Sequence, residues 1–463
     1  MTTMPVRISS GAGARIPASP TSREKLADHI YQRFFKASIL VVLTAGGTWG
    51  AVNLLESGWA GSFQQLRLLP AIHAHAHAMV FGWVGLFVMG FAYQMFPRFK
   101  ATSLWNPPLA VSTLYLMLAG ILARIGAELL APGRTALGLG LLSAALELTA
   151  VSLFICIIRR SMWKGIEPPQ AYELYLGAAM LWFWVQTALS AFLFFAKVTA
   201  TSREELIPRI ALIDGSLLTV QFLGFVSMMI AGVSLRVLPI FYRLRQPKDD
   251  RRRLIFWLMN GSLVLGVATY LGFFTTRVTA FALGLELAYI LTFAWAVLLV
   301  RQLGIFSQAA APDRSLKFVR TAYGWLLVAT AMLPLFPLYS ALTGQAFSHA
   351  YMGAQRHAFT VGFVSMMILG ISSRIVPMLS GLEKEAPALL GPFLLLNVGN
   401  ALRVGLQILT DFVPTVAYHW VGFTGFIQVV GLFWWGVVMW RTMNLAKMTS
   451  ARLSCAPVAS EPR

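Results

Sequence analysis

Seven histidines lie in this chain, and six of them collect at the start of three apolar stretches. His73, His75 and His77 form HAHAHAM, His349 and His357 flank AYMGAQR, and His419 stands alone, with His29 near the amino terminus. On a helix His73 and His77 share one face, while His75 points elsewhere. Neutral imidazole is the commonest metal ligand, and it suits iron and copper. A histidine at a membrane interface can equally hydrogen-bond headgroups or loop carbonyls. Two arginines accompany the histidines, Arg124 in LARIGAELL and Arg403 in ALRVGLQIL. A buried guanidinium needs an anionic partner, and paired carboxylates such as haem propionates supply one bidentately. The competing account is a side chain that snorkels to the interface.

The elements that must position these side chains are repeated. AMVFGWVGLFVMGFAYQMFP (Ala78 to Pro97), TVQFLGFVSMMIAGVSLRVLP (Thr219 to Pro239) and AFTVGFVSMMILGISSRIVP (Ala358 to Pro377) align glycine for glycine. Gly82, Gly224 and Gly362 match, as do Gly90, Gly232 and Gly370, then Pro97, Pro239 and Pro377. The glycine spacing reads as close helix contact, and the Met228-Met229 and Met366-Met367 pairs read as packing rather than copper ligation. His77 aligns with His357, whereas the middle copy has Thr219. Arg124 and Arg403 are likewise equivalent, and the middle copy lacks them. Glu147, Glu286 and Gln428 form a further, weaker echo; the two glutamates could relay protons or simply bond neighbouring helices.

Hydrophobic residues make up 57% of the chain and charged residues 12%, against about 25% charged in a soluble domain. Apolar runs of about 20 residues, enough to cross a bilayer, start near Phe34, Ala71, Pro108, Thr135, Tyr172, Ile210, Leu254, Val278, Val319, Tyr351, Leu389 and Thr415. The sequence therefore predicts an all-α polytopic membrane protein. Its twelve transmembrane helices form three repeats of four, about 34–160, 170–302 and 318–442, with pseudo-threefold symmetry. Residues 1–30 read as a disordered cytoplasmic tail, 31–442 as the membrane domain, and 443–463 as a second cytoplasmic tail. Cys156 and Cys455 are kept apart by this topology, so no disulfide framework is expected.

The net charge of +19 does not imply nucleic acid, because it is distributed by topology. Basic residues fill Arg7 to Lys36, Arg98 and Lys100, Arg159, Arg160 and Lys164, Arg243 to Arg253, Arg301 to Arg320 and the tail from Arg441. The opposite loops hold Arg67, Arg134, Lys197, Arg203, Arg209 and Arg277. That asymmetry puts both termini in the cytoplasm and the histidine cluster in the outer third of the bilayer. The Arg243 to Arg253 run would also suit anionic membrane lipid, but topology alone accounts for it.

Twelve helices in three arcs, with histidines on helices 2 and 10, resemble subunit I of the haem-copper oxidases. HAHAHAMVFGWVGLFVMGF (His73 to Phe91), RHAFTVGFVSMMILGISSR (Arg356 to Arg374) and ALRVG (Ala401 to Gly405) are more similar to the NnrS family. This resemblance spans roughly residues 34–441. It implies a multi-pass protein of the bacterial cytoplasmic membrane that carries haem, of b type, and copper, linked to nitric oxide metabolism and nitrosative stress. The ligand would be nitric oxide or a metal-nitrosyl complex, and turnover, sensing and transport are all compatible with it. Oxidases hold copper with a histidine on helix 6 and a pair near helix 7. Here helices 6 to 8 contain no histidine, which argues against an oxygen-reducing centre. A non-redox transporter is the other class, although the common twelve-helix kind is built as two halves of six. The expected site has His77 and His357 on one haem iron across the interface of repeats one and three. Arg124 and Arg403 would meet its propionates, and His73, His75, His349 and His419 would offer copper ligands, in a combination the motifs leave open.

Overall fold

The computed structural model describes residues 22–62, 65–244, 249–385 and 387–455. Most of both expected tails, residues 1–21 and 456–463, lies outside the described residues. Ser22–Asp28 is a short helix, and the last helix runs on to Cys455. Among the described residues every regular element is helical.

Eleven helices are long and apolar enough to cross a membrane, or twelve when a bent pair counts as one span. In chain order these are helix 1 (Ile30–Ala60), helix 2 (Leu68–Phe99), helix 3 (Pro107–Leu129), helix 4 (Arg134–Trp163), helix 5 (Tyr172–Val198) and helix 6 (Arg203–Tyr242). Helix 7 (Asp250–Thr276) and helix 8 (Thr279–Leu303) follow. Helix 9 is the bent pair Leu316–Ala331 and Phe336–Thr343. Helix 10 (His349–Ser380), helix 11 (Leu390–Leu409) and helix 12 (Pro414–Leu445) complete the bundle. The two parts of helix 9 meet at 58°. Pro334 and Pro337 account for the bend, since each removes a backbone donor and crowds the preceding turn.

Helices 2, 6 and 10, which carry the repeated motif, are 83%, 72% and 89% buried, whereas the other unbent spans are 33–44% buried. These three therefore form the middle of the bundle, and the remaining helices shield them. Aromatic contacts tie the three together. Phe222 stacks on Phe359 at 4.8 Å, and Trp83 donates to Ser365 Oγ at 3.0 Å.

Each central helix contains an eight-residue π-helical segment, Ala78–Gly85, Val220–Ser227 and Ala358–Ser365. These segments begin and end at matching positions of the motif. A π turn widens the helix and often marks a functional site. Neither hydropathy nor the glycine register anticipates it. The glycines inside these segments accept a neighbour at close range. A Cβ at Gly82 would lie 2.4 Å from Val41, one at Gly224 2.8 Å from Trp182, and one at Gly362 2.4 Å from Trp325. The motif also ends alike in each copy. Thr102, Leu244 and Leu382 donate backbone N–H to the carbonyls of Pro97, Pro239 and Pro377 at 3.0, 3.1 and 2.9 Å. The residues before them, Ala101, Arg243 and Gly381, are left-handed at φ 49°, 49° and 69°. That is a Schellman end, which satisfies carbonyls the helix leaves open.

Equivalent polar contacts hold the flanking helices. Trp182 donates to Asn260 Oδ1 at 3.2 Å, and Asn260 reaches Met228 Sδ at 3.9 Å. Trp325, Asn397 and Met366 repeat the chain at 3.1 and 3.9 Å. Met228 and Met366 thus pack in the core. Helices 1 and 12 meet backbone to backbone, because Gly58 lies against Gly422 and Gly425 against Ala51. Small residues permit this close crossing, and it brings the first span against the last. The basic loops collect at the motif's proline end. Lys100 bonds Glu173 at 3.2 Å and the carbonyl of Glu167, while Arg374 pairs with Asp313.

Candidate functional site

Two polar clusters sit at the histidine end of the central helices, on opposite faces of helix 2. The first faces helices 3, 4 and 5. His77 Nε2 and Glu147 Oε1 are 2.7 Å apart, both buried, and the His77 ring stacks on Phe81 at 4.3 Å. Ser143 adds a second hydrogen bond to the same carboxylate oxygen at 3.3 Å. One turn earlier, Lys197 donates to His73 Nδ1 at 2.7 Å and to both oxygens of Glu128 at 2.9 and 2.8 Å. Arg124 Nε donates to Glu128 at 3.1 Å across one helical turn, and its other end donates to the Ser190 carbonyl at 2.9 Å. The Arg124 guanidinium also lies 4.4 Å from the centre of the Phe194 ring, a favourable cation–π placement. Asp214 of helix 6 is within electrostatic reach of Lys197. Arg124 and Lys197 thus share the buried Glu128 carboxylate, the pairing under which burying charge is tolerable.

The second cluster faces helix 1 and the third repeat. His75 Nδ1 lies 2.8 Å from the Gly46 carbonyl, and the ring fills the space over Gly50, where a Cβ would come within 2.4 Å of it. His357 Nδ1 lies 2.9 Å from the Gly353 carbonyl, one turn back on helix 10. A carbonyl only accepts, so in both rings Nδ1 carries the proton and Nε2 keeps its lone pair. No partner for either Nε2 is found among the described residues. His75 and His357 are within electrostatic reach of each other, and Arg403 acts on both. Arg403 Nε and the neighbouring Gln407 Oε1 are buried without a hydrogen-bond partner. Tyr418 of helix 12 also faces Arg403.

The remaining sequence candidates lie apart. His349 and His419 are exposed. His349 meets the edge of Phe347 at 4.9 Å, and His419 meets Trp420 and Phe423 at 5.6 and 5.9 Å. Among the described residues no three His, Cys, Asp or Glu side chains stand close enough to share a metal ion. Glu286 is partly buried. Two important residues escaped the sequence reading. Lys197, counted there in an outer loop, belongs to helix 5 and turns inward with its side chain 10% exposed. Glu128 was visible in LARIGAELL opposite Gln407 of ALRVGLQIL, and that exchange was the signal available for it.

The helices and the imidazole-bearing interior define a multi-pass membrane protein with a polar site held inside its bundle. The sequence model described as NnrS protein matches residues 26–444, so the chain belongs to the NnrS family. No curated protein matches the chain.

Proposed function

We propose that this membrane protein binds haem and acts in nitric oxide metabolism or the response to nitrosative stress, as the family resemblance implies. One observation carries the haem reading: His75 and His357 each have Nδ1 fixed on a backbone carbonyl and Nε2 unprotonated, beside a half-buried Arg403 whose buried Nε lacks a partner. Fixing one ring nitrogen orients the other for a metal and raises its basicity. His357 keeps its expected role, and His75 takes the place first given to His77, whose Nε2 is bonded to Glu147. Arg403 suits a propionate; Arg124 is already paired with Glu128. Bound haem would supply iron for nitric oxide binding or electron transfer. His75 and His357 are the residues that would hold it. The reading omits copper, because His349 and His419 are exposed and His73 accepts from Lys197.

Absorption spectra of purified variants test this. His357→Ala and His75→Ala should each lose or shift the haem spectrum, while His77→Ala and Thr219→Ala keep it. Loss in His77→Ala with retention in His75→Ala would restore the first pairing. Wild-type spectra in all four would end the haem assignment.

The finer architecture is part of the same proposal. The three repeats of four helices are related by a pseudo-threefold axis along the membrane normal, with both termini cytoplasmic. The matched π segments and Schellman ends support the repeat, and the basic loops at the proline end support the orientation. An experimental structure in a lipid nanodisc, with cysteine labelling, tests both. Ala346→Cys should label from outside and Lys164→Cys should not. A best internal superposition of helices 1–6 on 7–12, or inverted labelling, would refute it.

A further inference from the structure

We propose that the three central helices form a binding pocket for a small, uncharged, apolar molecule the size of a diatomic gas. The pocket measures about 60 Å³ and lies between helices 2, 6 and 10. Val84, Val226 and Val364 line it, at the same position of the three copies of the motif. Val88, Ile230 and Ile368 line it one turn further on, again at matching positions. It opens about two turns beyond His77 and His357, on the same helices.

Three features select the ligand. The lining is aliphatic, aromatic or thioether except for the hydroxyl of Ser234. Water in a cavity needs 2–4 polar partners, so it gains little here. A charged or strongly hydrogen-bonding molecule would shed its hydration without compensation. The helices that line it are the most buried of the bundle.

Loose packing does not explain the space. Gly82, Gly224 and Gly362, two residues before each lining valine, meet their neighbours so closely that an added Cβ would fall within 2.8 Å of another side chain. The same segments that pack tightly outwards leave a gap inwards.

The inference is independent of the haem reading, since xenon uptake can be measured whether or not the protein carries haem. Crystals of the full chain are pressurised with xenon and the anomalous difference map is calculated. One xenon site is expected between Val84, Val226 and Val364. Val226→Phe should abolish it, and Val226→Ile, which adds one methyl group, should lower its occupancy. If Val226→Phe does not fold, the wild-type map and the isoleucine variant decide the matter. The proposal is overturned by no xenon in the wild type, by acyl-chain density filling the pocket, or by undiminished xenon in the variants.

Discussion

The clusters on the two faces of helix 2 use corresponding residues and reach opposite outcomes. Arg124 and Arg403 occupy equivalent sequence positions, each with a side chain one turn further on, Glu128 in the first repeat and Gln407 in the third. A second exchange runs the same way, from Glu147 to Gln428. Where the carboxylates are present, Glu128 binds Arg124 and Lys197 while Glu147 binds His77, and the charges are met within the chain. Where amides replace them, Arg403 Nε, Gln407 Oε1 and Gln428 Nε2 are all buried and unpartnered. A guanidinium whose Nε is buried without a partner can still take an anionic group from outside the chain. The difference teaches that one helical frame can be closed by a carboxylate or left receptive by the loss of its charge.

The comparison breaks most visibly at Glu128. Its carboxylate stands between Lys197 and Arg124, with all three side chains no more than 10% exposed. Glu128→Gln should lower stability by about 3–5 kcal/mol, because two buried cations lose their counter-ion. Chemical or thermal unfolding in detergent measures this. Adding Lys197→Met should recover part of the loss, since neighbouring charges are not additive. A Glu128→Gln protein as stable as the wild type would show that the first cluster is not held by charge.

Much of this arrangement was legible in the sequence, and the reasons for the rest are physical. Hydropathy and the Gly/Pro register are local signals, and they located every span, including helix 9, whose prolines then bend it. Helical periodicity also sorted the histidines correctly by face. His73 and His77 both turn towards helices 3 to 5, and His75 turns the other way, onto Gly46. Which face meets the third repeat was not legible. That depends on how the helix is rotated, and the π segment starting at Ala78 is invisible to hydropathy. The His77–Glu147 contact joins residues 70 apart in sequence, and no periodicity predicts such a pair. Lys197 looked like a loop residue because the apolar run ends beside it. Only its long side chain, turned back to Glu128, places its charge inside.

The reciprocal change, Gln407→Glu, sharpens the comparison with a smaller effect. It puts a carboxylate one turn from Arg403 and so rebuilds the Arg124–Glu128 pattern in the third repeat. A hydrogen bond to a charged group contributes about 1.5–3 kcal/mol, and burying the new carboxylate offsets part of that. The net gain expected in the haem-free protein is about 1 kcal/mol, read as a higher unfolding temperature. The same carboxylate competes for Arg403, so the haem-to-protein ratio after purification should fall. The two readouts separate the claims. A stabilised variant with undiminished haem would leave the contrast between the clusters standing and remove Arg403 from the propionate. A variant less stable than the wild type would mean that Arg403 does not want an anion at all. The contrast between the two faces of helix 2 would then reflect packing, not charge.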